Sequence, residues 1–141
     1  MAMGIAAEVR ALLRMRMGRR PRAEVLAWAS PLVDAYFEGL ASADYAVASA
    51  GFSDRLRQSF PEDEFFSQRR TVVEAVGPYH SHAIQAVQRQ GGFVLVIVLV
   101  FFELERKALL RALFDPSTRQ LEGVWLSSPR LKSARGRADP A

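Results

Sequence analysis

Residues 93–102, with the sequence Phe-Val-Leu-Val-Ile-Val-Leu-Val-Phe-Phe, decide the fold. These ten consecutive apolar residues are rich in β-branched valine and too few to span a bilayer as a helix, so they predict a buried β-strand. Side chains alternate between the two faces of a strand. The odd-numbered positions are bulky and suit packing on helices: Phe93, Leu95, Ile97, Leu99 and Phe101. The even-numbered positions form a flatter face: Val94, Val96, Val98, Val100 and Phe102.

Both faces of this strand are apolar, whereas one face of a single-layered antiparallel sheet normally meets water. We therefore expect a cover on each face. Helices would cover the odd-numbered face, and apart from the N-terminal segment no spare helix is left for the other. Sheet-to-sheet homodimerisation is the economical explanation, with an interface made of four valines: Val94, Val96, Val98 and Val100.

The apolar period changes from helical to strand-like at Tyr79. Before it, Pro21 begins a long helix whose apolar stripe runs from Val25 to Leu40 and which Pro31 kinks or divides, and shorter helices follow. After it, strands are predicted at about 79–89, 93–102, 107–114 and 119–126. Helices followed by an antiparallel meander predict an α+β fold, with N-terminal helices packed on a curved four-stranded antiparallel sheet.

The composition is that of one soluble globular domain, with 141 residues of which 50% are apolar and 24% charged. Cysteine is absent, which excludes disulfides, thiol nucleophiles and thiolate metal sites. Because the chain has only two histidines, a multi-histidine metal cage is excluded as well. We expect no metal and no cofactor.

The formal net charge of +4 comes from the two ends of the chain. Residues 1–22 carry +5 and residues 128–141 carry +3, whereas residues 23–127 carry −4. A folded nucleic-acid-binding domain carries its basic patch on the domain itself, so nucleic acid is not an expected partner. The charge pattern divides the chain into a basic N-terminal helix or tail (1–21), a globular domain (22–127) and a disordered basic tail.

The N-terminal segment has the pattern of a basic amphipathic helix, in which apolar residues recur at helical spacing opposite arginines. It is interpreted as a plain surface helix or tail, with docking on an anionic membrane surface or an acidic protein as the alternative. The segment lacks the long apolar core and cleavage site of a secretory signal. We therefore expect a cytoplasmic protein.

Several motifs resemble the nuclear transport factor 2-like superfamily, and the likeness is closest to small bacterial members of uncharacterised function. The motifs are 34–40 (Asp-Ala-Tyr-Phe-Glu-Gly-Leu), 42–45 (Ser-Ala-Asp-Tyr), 52–56 (Phe-Ser-Asp-Arg-Leu) and 114–123 (Phe-Asp-Pro-Ser-Thr-Arg-Gln-Leu-Glu-Gly). The resemblance spans about residues 23–127 and implies a cone with a pocket at its open end. Members include isomerases, dehydratases, ligand binders and protein-association modules, so the fold does not decide the function.

The candidate chemical groups are two histidines on the first strand, His80 and His82, which strict alternation places on one face. They could supply an acid–base group, or bind a metal if Asp34 or Glu103 converged with them. Asp34 and Tyr36 point about 200° apart on a helix and cannot face one substrate unless Pro31 distorts the turn.

We expect an apolar pocket with a few polar groups at the open end of the cone. The residues predicted to line it are Trp28, Tyr36, Phe65, His80 and His82. The sequence thus predicts a non-catalytic module, homodimeric through its sheet, that binds a small apolar ligand or another protein. One alternative is a small cofactor-independent isomerase or lyase that uses a pocket histidine. The other is an adaptor subunit held in a larger assembly by its basic ends.

Overall fold

A computed structural model describes residues 18–132 of the chain. Within them, helices come first and an antiparallel sheet follows, which confirms the predicted α+β class. The helices are α1 (Arg19–Ser42), α2 (Tyr45–Ala48), α3 (Asp54–Ser59) and α4 (Glu62–Val76). The strands are β1 (Tyr79–Gln90), β2 (Phe93–Phe102), β3 (Ala108–Asp115) and β4 (Gln120–Ser127), and they neighbour one another in chain order. The cone shape stays a prediction.

Pro31 lies inside α1 without dividing the helix. Proline removes the hydrogen bond to the carbonyl four residues earlier, which here is that of Ala27. Both residues are exposed, so water can reach the carbonyl that is left unpaired. At its other end α1 approaches α2 so closely that a Cβ on Gly39 would overlap Ala48, and glycine is needed there.

The helices cover the face of β2 that carries the valines, and not the opposite face as predicted. Alternation determines which side chains share a face, but it does not determine which face meets the helices. The helices contribute large aromatic side chains such as Phe37 and Phe65 to this core, and small valines opposite them leave the room that those rings fill. The four valines predicted to form a dimer interface are buried within the chain's own core, at most 4% exposed: Val94, Val96, Val98 and Val100.

The odd-numbered side chains of β2 lie on the outer face of the sheet, away from the helices, where Leu95 and Ile97 form a separate small cluster with Ala86. Gln88 lies beside Leu95 on this face and is 2% exposed, and its Oε1 has no hydrogen-bond partner among the described residues. If the sheet contacts a second copy of the chain, it must therefore do so through its outer face.

The chain after β4 is ordered where a tail was expected. The Ser128 hydroxyl accepts a hydrogen bond from the Leu131 N–H (3.0 Å) and caps a helical turn at 129–132. Leu131 is 1% exposed and belongs to the main core. The predictions for 1–17 and 133–141, including the amphipathic helix and its membrane or acidic partners, lie outside the described residues.

Candidate functional site

The five residues predicted to line one pocket lie in different parts of the structure. Tyr36 and Phe65 are buried in an aromatic core, with ring centroids 6.5 Å apart. Trp28 packs edge-on against Phe114 at 5.5 Å, near the β3–β4 turn. His82 lies at the start of β1, beside α1. The structure does not bring these side chains together around a common cavity.

The two histidines do not share a face of β1, because the strand register shifts between Tyr79 and Ser81. A bulge opposes one extra residue to the partner strand and so breaks the alternation on which the prediction rested. His80 occupies the bulge and is exposed, whereas Tyr79 and His82 both lie on the helix-facing side. The prediction of a histidine pair on one face is therefore wrong.

His82 is held at both ring nitrogens. Its Nε2 lies 2.8 Å from Asp34 Oδ1, and its Nδ1 lies 2.6 Å from the Tyr79 hydroxyl. The Phe37 ring stacks on the imidazole at 4.5 Å. Burial raises the pKa of the Tyr79 phenol, and the negative charge of Asp34 raises it further, so the phenol is the neutral donor at physiological pH.

This chain of three polar groups links α1 to β1 and leaves no ring nitrogen for a substrate. A general base needs a free lone pair within hydrogen-bond distance of the proton that it removes. Both ring nitrogens of His82 are engaged by Tyr79 and Asp34, so neither is directed at a substrate. Asp34 is exposed whereas Tyr36 is buried in the core, so the two side chains point apart as the helical geometry predicted. In the part of the chain that the structure describes, no three potential metal ligands lie together.

A groove of about 780 Å³ lies between α3, α4 and β4, and we call it the β4 groove. Helix α4 lines the groove with a polar stripe, which consists of Glu64, Ser67, Gln68 and Thr71. The spacing of three and four residues puts these side chains on one face of the helix. The remaining lining residues are Arg55, Leu56, Ser59, Phe60, Glu122, Gly123, Val124 and Trp125.

Hydrogen bonds attach α3 to β4 at one end of the β4 groove. The Leu121 N–H donates to the Gly51 carbonyl (2.7 Å), and the Leu121 carbonyl accepts from the Ser53 N–H (2.9 Å). The Ser53 hydroxyl accepts from the Leu56 N–H (3.1 Å), which caps α3, and donates to the Glu122 carboxylate (2.8 Å). Ser53 thereby fixes both a helix start and a charged group of the groove.

Two side-chain contacts with backbone carbonyls hold α4 in place on the other side of the groove. The Arg69 Nε donates to the Leu40 carbonyl at the end of α1 (2.6 Å). The Tyr45 hydroxyl donates to the Phe60 carbonyl in the turn between α3 and α4 (2.8 Å). Both walls of the groove are thus tied to the rest of the fold.

Trp125 is the exposed aromatic side chain of the groove, with 48% of its surface accessible, whereas Phe60 is half-buried. A Cβ on Gly123 would overlap the six-membered ring of this indole, so glycine lets the ring lie flat along β4. An exposed tryptophan at the rim of a groove offers apolar area and an N–H donor to a ligand. The carboxylates of Glu64 and Glu122 outnumber the guanidinium of Arg55, so the lining carries a small excess of negative charge.

Sequence reasoning missed this site, although two signals of it were present. The polar stripe of α4 recurs at helical spacing on residues that the apolar stripe does not use, and a Gly-Val-Trp sequence ends in an aromatic side chain on an edge strand. Neither signal indicates that α4 and β4 line the same groove, because the two elements are about 55 residues apart in the sequence.

The chain matches no protein-family model, and it matches none of the curated proteins. The nuclear transport factor 2-like resemblance therefore stays a prediction. None of the described helices has the length and apolarity to cross a bilayer.

Proposed function

We propose that this protein is a non-catalytic binding module whose ligand site is the β4 groove. The observation that carries the proposal is a groove of about 780 Å³ with an exposed tryptophan and a row of polar side chains. Ligand sites in proteins have about this volume and combine apolar surface with a few polar groups. The site differs from the aromatic pocket predicted from the sequence.

His82 does not offer a free ring nitrogen to a substrate. The isomerase or lyase alternative needs an imidazole that can exchange a proton with a substrate, and both nitrogens of His82 are engaged by Asp34 and Tyr79. The β4 groove contains no histidine and no tyrosine. Its carboxylates and hydroxyls suit hydrogen bonding to a ligand.

Tryptophan fluorescence tests the proposal directly, because the chain has two tryptophans and only Trp125 lines the groove. In a Trp28→Phe chain the emission reports on Trp125 alone. A thermal-shift screen of apolar, acidic and basic metabolites should give a compound that raises Tm and changes this emission. A Trp125→Ala chain should lose most of that Tm rise. A compound that raises Tm equally in the Trp125→Ala chain, without changing Trp125 emission, would place the ligand site elsewhere.

Self-association through the outer face of the sheet is a second candidate function, favoured by the apolar cluster there and by the buried Gln88 Oε1, which has no donor among residues 18–132. A second copy could cover the cluster and supply that donor. Light scattering should give a dimer mass for the unaltered chain and a monomer mass for Leu99→Lys, which changes a half-buried outer-face residue. A monomer mass for the unaltered chain at about 100 μM would refute this candidate. The adaptor alternative depends on the basic ends of the chain.

A further inference from the structure

We infer that the ligand of the β4 groove is an extended peptide segment that adds, as a fifth strand, to the edge of β4 that no described strand covers. This inference rests on the proposed function, and it names the class of ligand. The argument uses the edge of β4, the polar stripe of α4, and the lengths of the two walls.

The edge of β4 already accepts main chain at one position. Leu121 pairs in a parallel bridge with Phe52, through hydrogen bonds to Gly51 and Ser53. Beyond Ser53 the chain turns away into α3, and no described strand continues along this edge. Backbone groups at a strand edge require partners and are the ordinary template for an added strand. The groove begins where the internal pairing stops, at Glu122.

The polar stripe of α4 suits the outer edge of such a strand. Ser67 carries a hydroxyl and Gln68 an amide, so each can both donate and accept a hydrogen bond, whereas the Thr71 hydroxyl donates to the Ser67 carbonyl (3.2 Å) and offers a ligand its lone pairs. The outer edge of an added strand presents alternating N–H and C=O groups, which need partners of both kinds. A row of carboxylates or of lysines could satisfy only one kind. The stripe therefore favours main-chain recognition that tolerates different side chains.

The two walls have matching lengths. The stripe from Glu64 to Thr71 covers seven helical steps, or about 10 Å. The β4 segment from Glu122 to Trp125 covers three strand steps, again about 10 Å. Three or four residues of extended chain fit between them. Trp125 can then pack on an apolar side chain of the peptide, and the excess of carboxylates favours a basic residue nearby.

The experiment begins with a phage-displayed library of random decapeptides, selected on the full chain and counter-selected on Trp125→Ala. The best clone is synthesised, and its Kd is measured by Trp125 fluorescence in the Trp28→Phe background. Each of its backbone amides is then methylated in turn, which removes one donor. Methylation of the amides that face β4 should weaken binding about 5- to 10-fold, as the loss of a hydrogen bond does.

A double change on α4 separates the two edges of the bound strand. Methylation of the amides that face α4 should weaken binding to the Trp28→Phe chain, but have little further effect when Ser67→Ala and Gln68→Ala are added. The matched control adds Arg70→Ala and Glu74→Ala, which are exposed residues of α4 outside the groove, and should bind the peptide unchanged.

The outcomes distinguish this inference from the proposed function. If no clone is enriched, or if methylation leaves Kd unchanged, the inference of an extended peptide is refuted. If a metabolite nevertheless changes Trp125 emission and depends on Trp125 for its Tm rise, the groove is a small-molecule site and the proposed function stands. If neither peptide nor metabolite acts on Trp125, both fail.

Discussion

Val98→Lys is the strongest test of which face of the sheet meets the helices. Val98 has no exposed surface, and it lies between Ile84 and Leu110 on the neighbouring strands. Lysine there would place an ammonium group in the core with no described partner, and an unpaired buried charge costs about 3–5 kcal/mol. The lost burial of valine adds about 1.5 kcal/mol. Together these costs approach the whole stability of an ordinary domain, about 5–15 kcal/mol.

Leu99→Lys is the matched control, because it changes the next residue along β2 to the same side chain on the outer face, where Leu99 is only half-buried. Urea unfolding followed by circular dichroism should give a loss of about 5 kcal/mol or a failure to fold for Val98→Lys. Measured at a protein concentration at which both chains are monomeric, the control should lose about 1 kcal/mol, a few degrees in Tm. Wild-type stability for Val98→Lys together with collapse of Leu99→Lys would refute the face assignment.

Three further predictions concern the C-terminal turn, the histidines and the tyrosines. Leu131→Ala should lower the free energy of unfolding in urea by about 2–4 kcal/mol because the side chain is buried, whereas the exposed Lys132→Ala should lower it by less than about 0.5 kcal/mol. Equally small losses in the two variants would show that the C-terminal turn does not stabilise the fold. His82→Ala should cost about 1–2 kcal/mol and the bulged, exposed His80→Ala almost nothing, and the reverse order would contradict the observed register. Burial raises the pKa of all three tyrosines, so the stability that their neutral phenols contribute is present below a pH of about 10 and is lost as the pH rises through the folded-state pKa. Absorbance at 295 nm should therefore show the phenols ionising together with unfolding. Ionisation of the phenols at their ordinary pKa while the chain is still folded would contradict this.

The secondary structure could be predicted closely from the sequence because its signals are local. The apolar run at 93–102 has a Gly-Gly turn before it and polar residues after it, and β2 has the predicted bounds. The long first helix also follows from its apolar stripe. Pro31 made a division of that helix plausible, and the structure keeps it whole because the proline faces water.

The positions of the sheet faces and of the histidines depend on features that the local pattern does not contain. A valine face and a leucine face are both apolar, so hydropathy alone does not indicate which of them packs against the helices. The large aromatic side chains of the helices fit better against the smaller valines. The bulge at His80 shifts residues 81–84 of β1 by one position, which exchanges their faces, and a second register shift between Ile84 and Ala86 restores the original alternation. The first shift brings Tyr79 within hydrogen-bond distance of His82, a contact that strict alternation excludes.

The β4 groove follows from the same dependence on tertiary packing. A polar stripe on an amphipathic helix normally faces water and indicates no site. On α4 the stripe becomes a wall because Gly51 and Ser53 pair with the first part of β4 only, and α3 then carries the chain away from the strand edge. Had the 51–53 segment continued as a strand, it would occupy the space where the groove lies. The short internal pairing therefore leaves, among the described residues, both a strand edge without a neighbouring strand and the room beside it, and the proposed fifth strand rests on these two features.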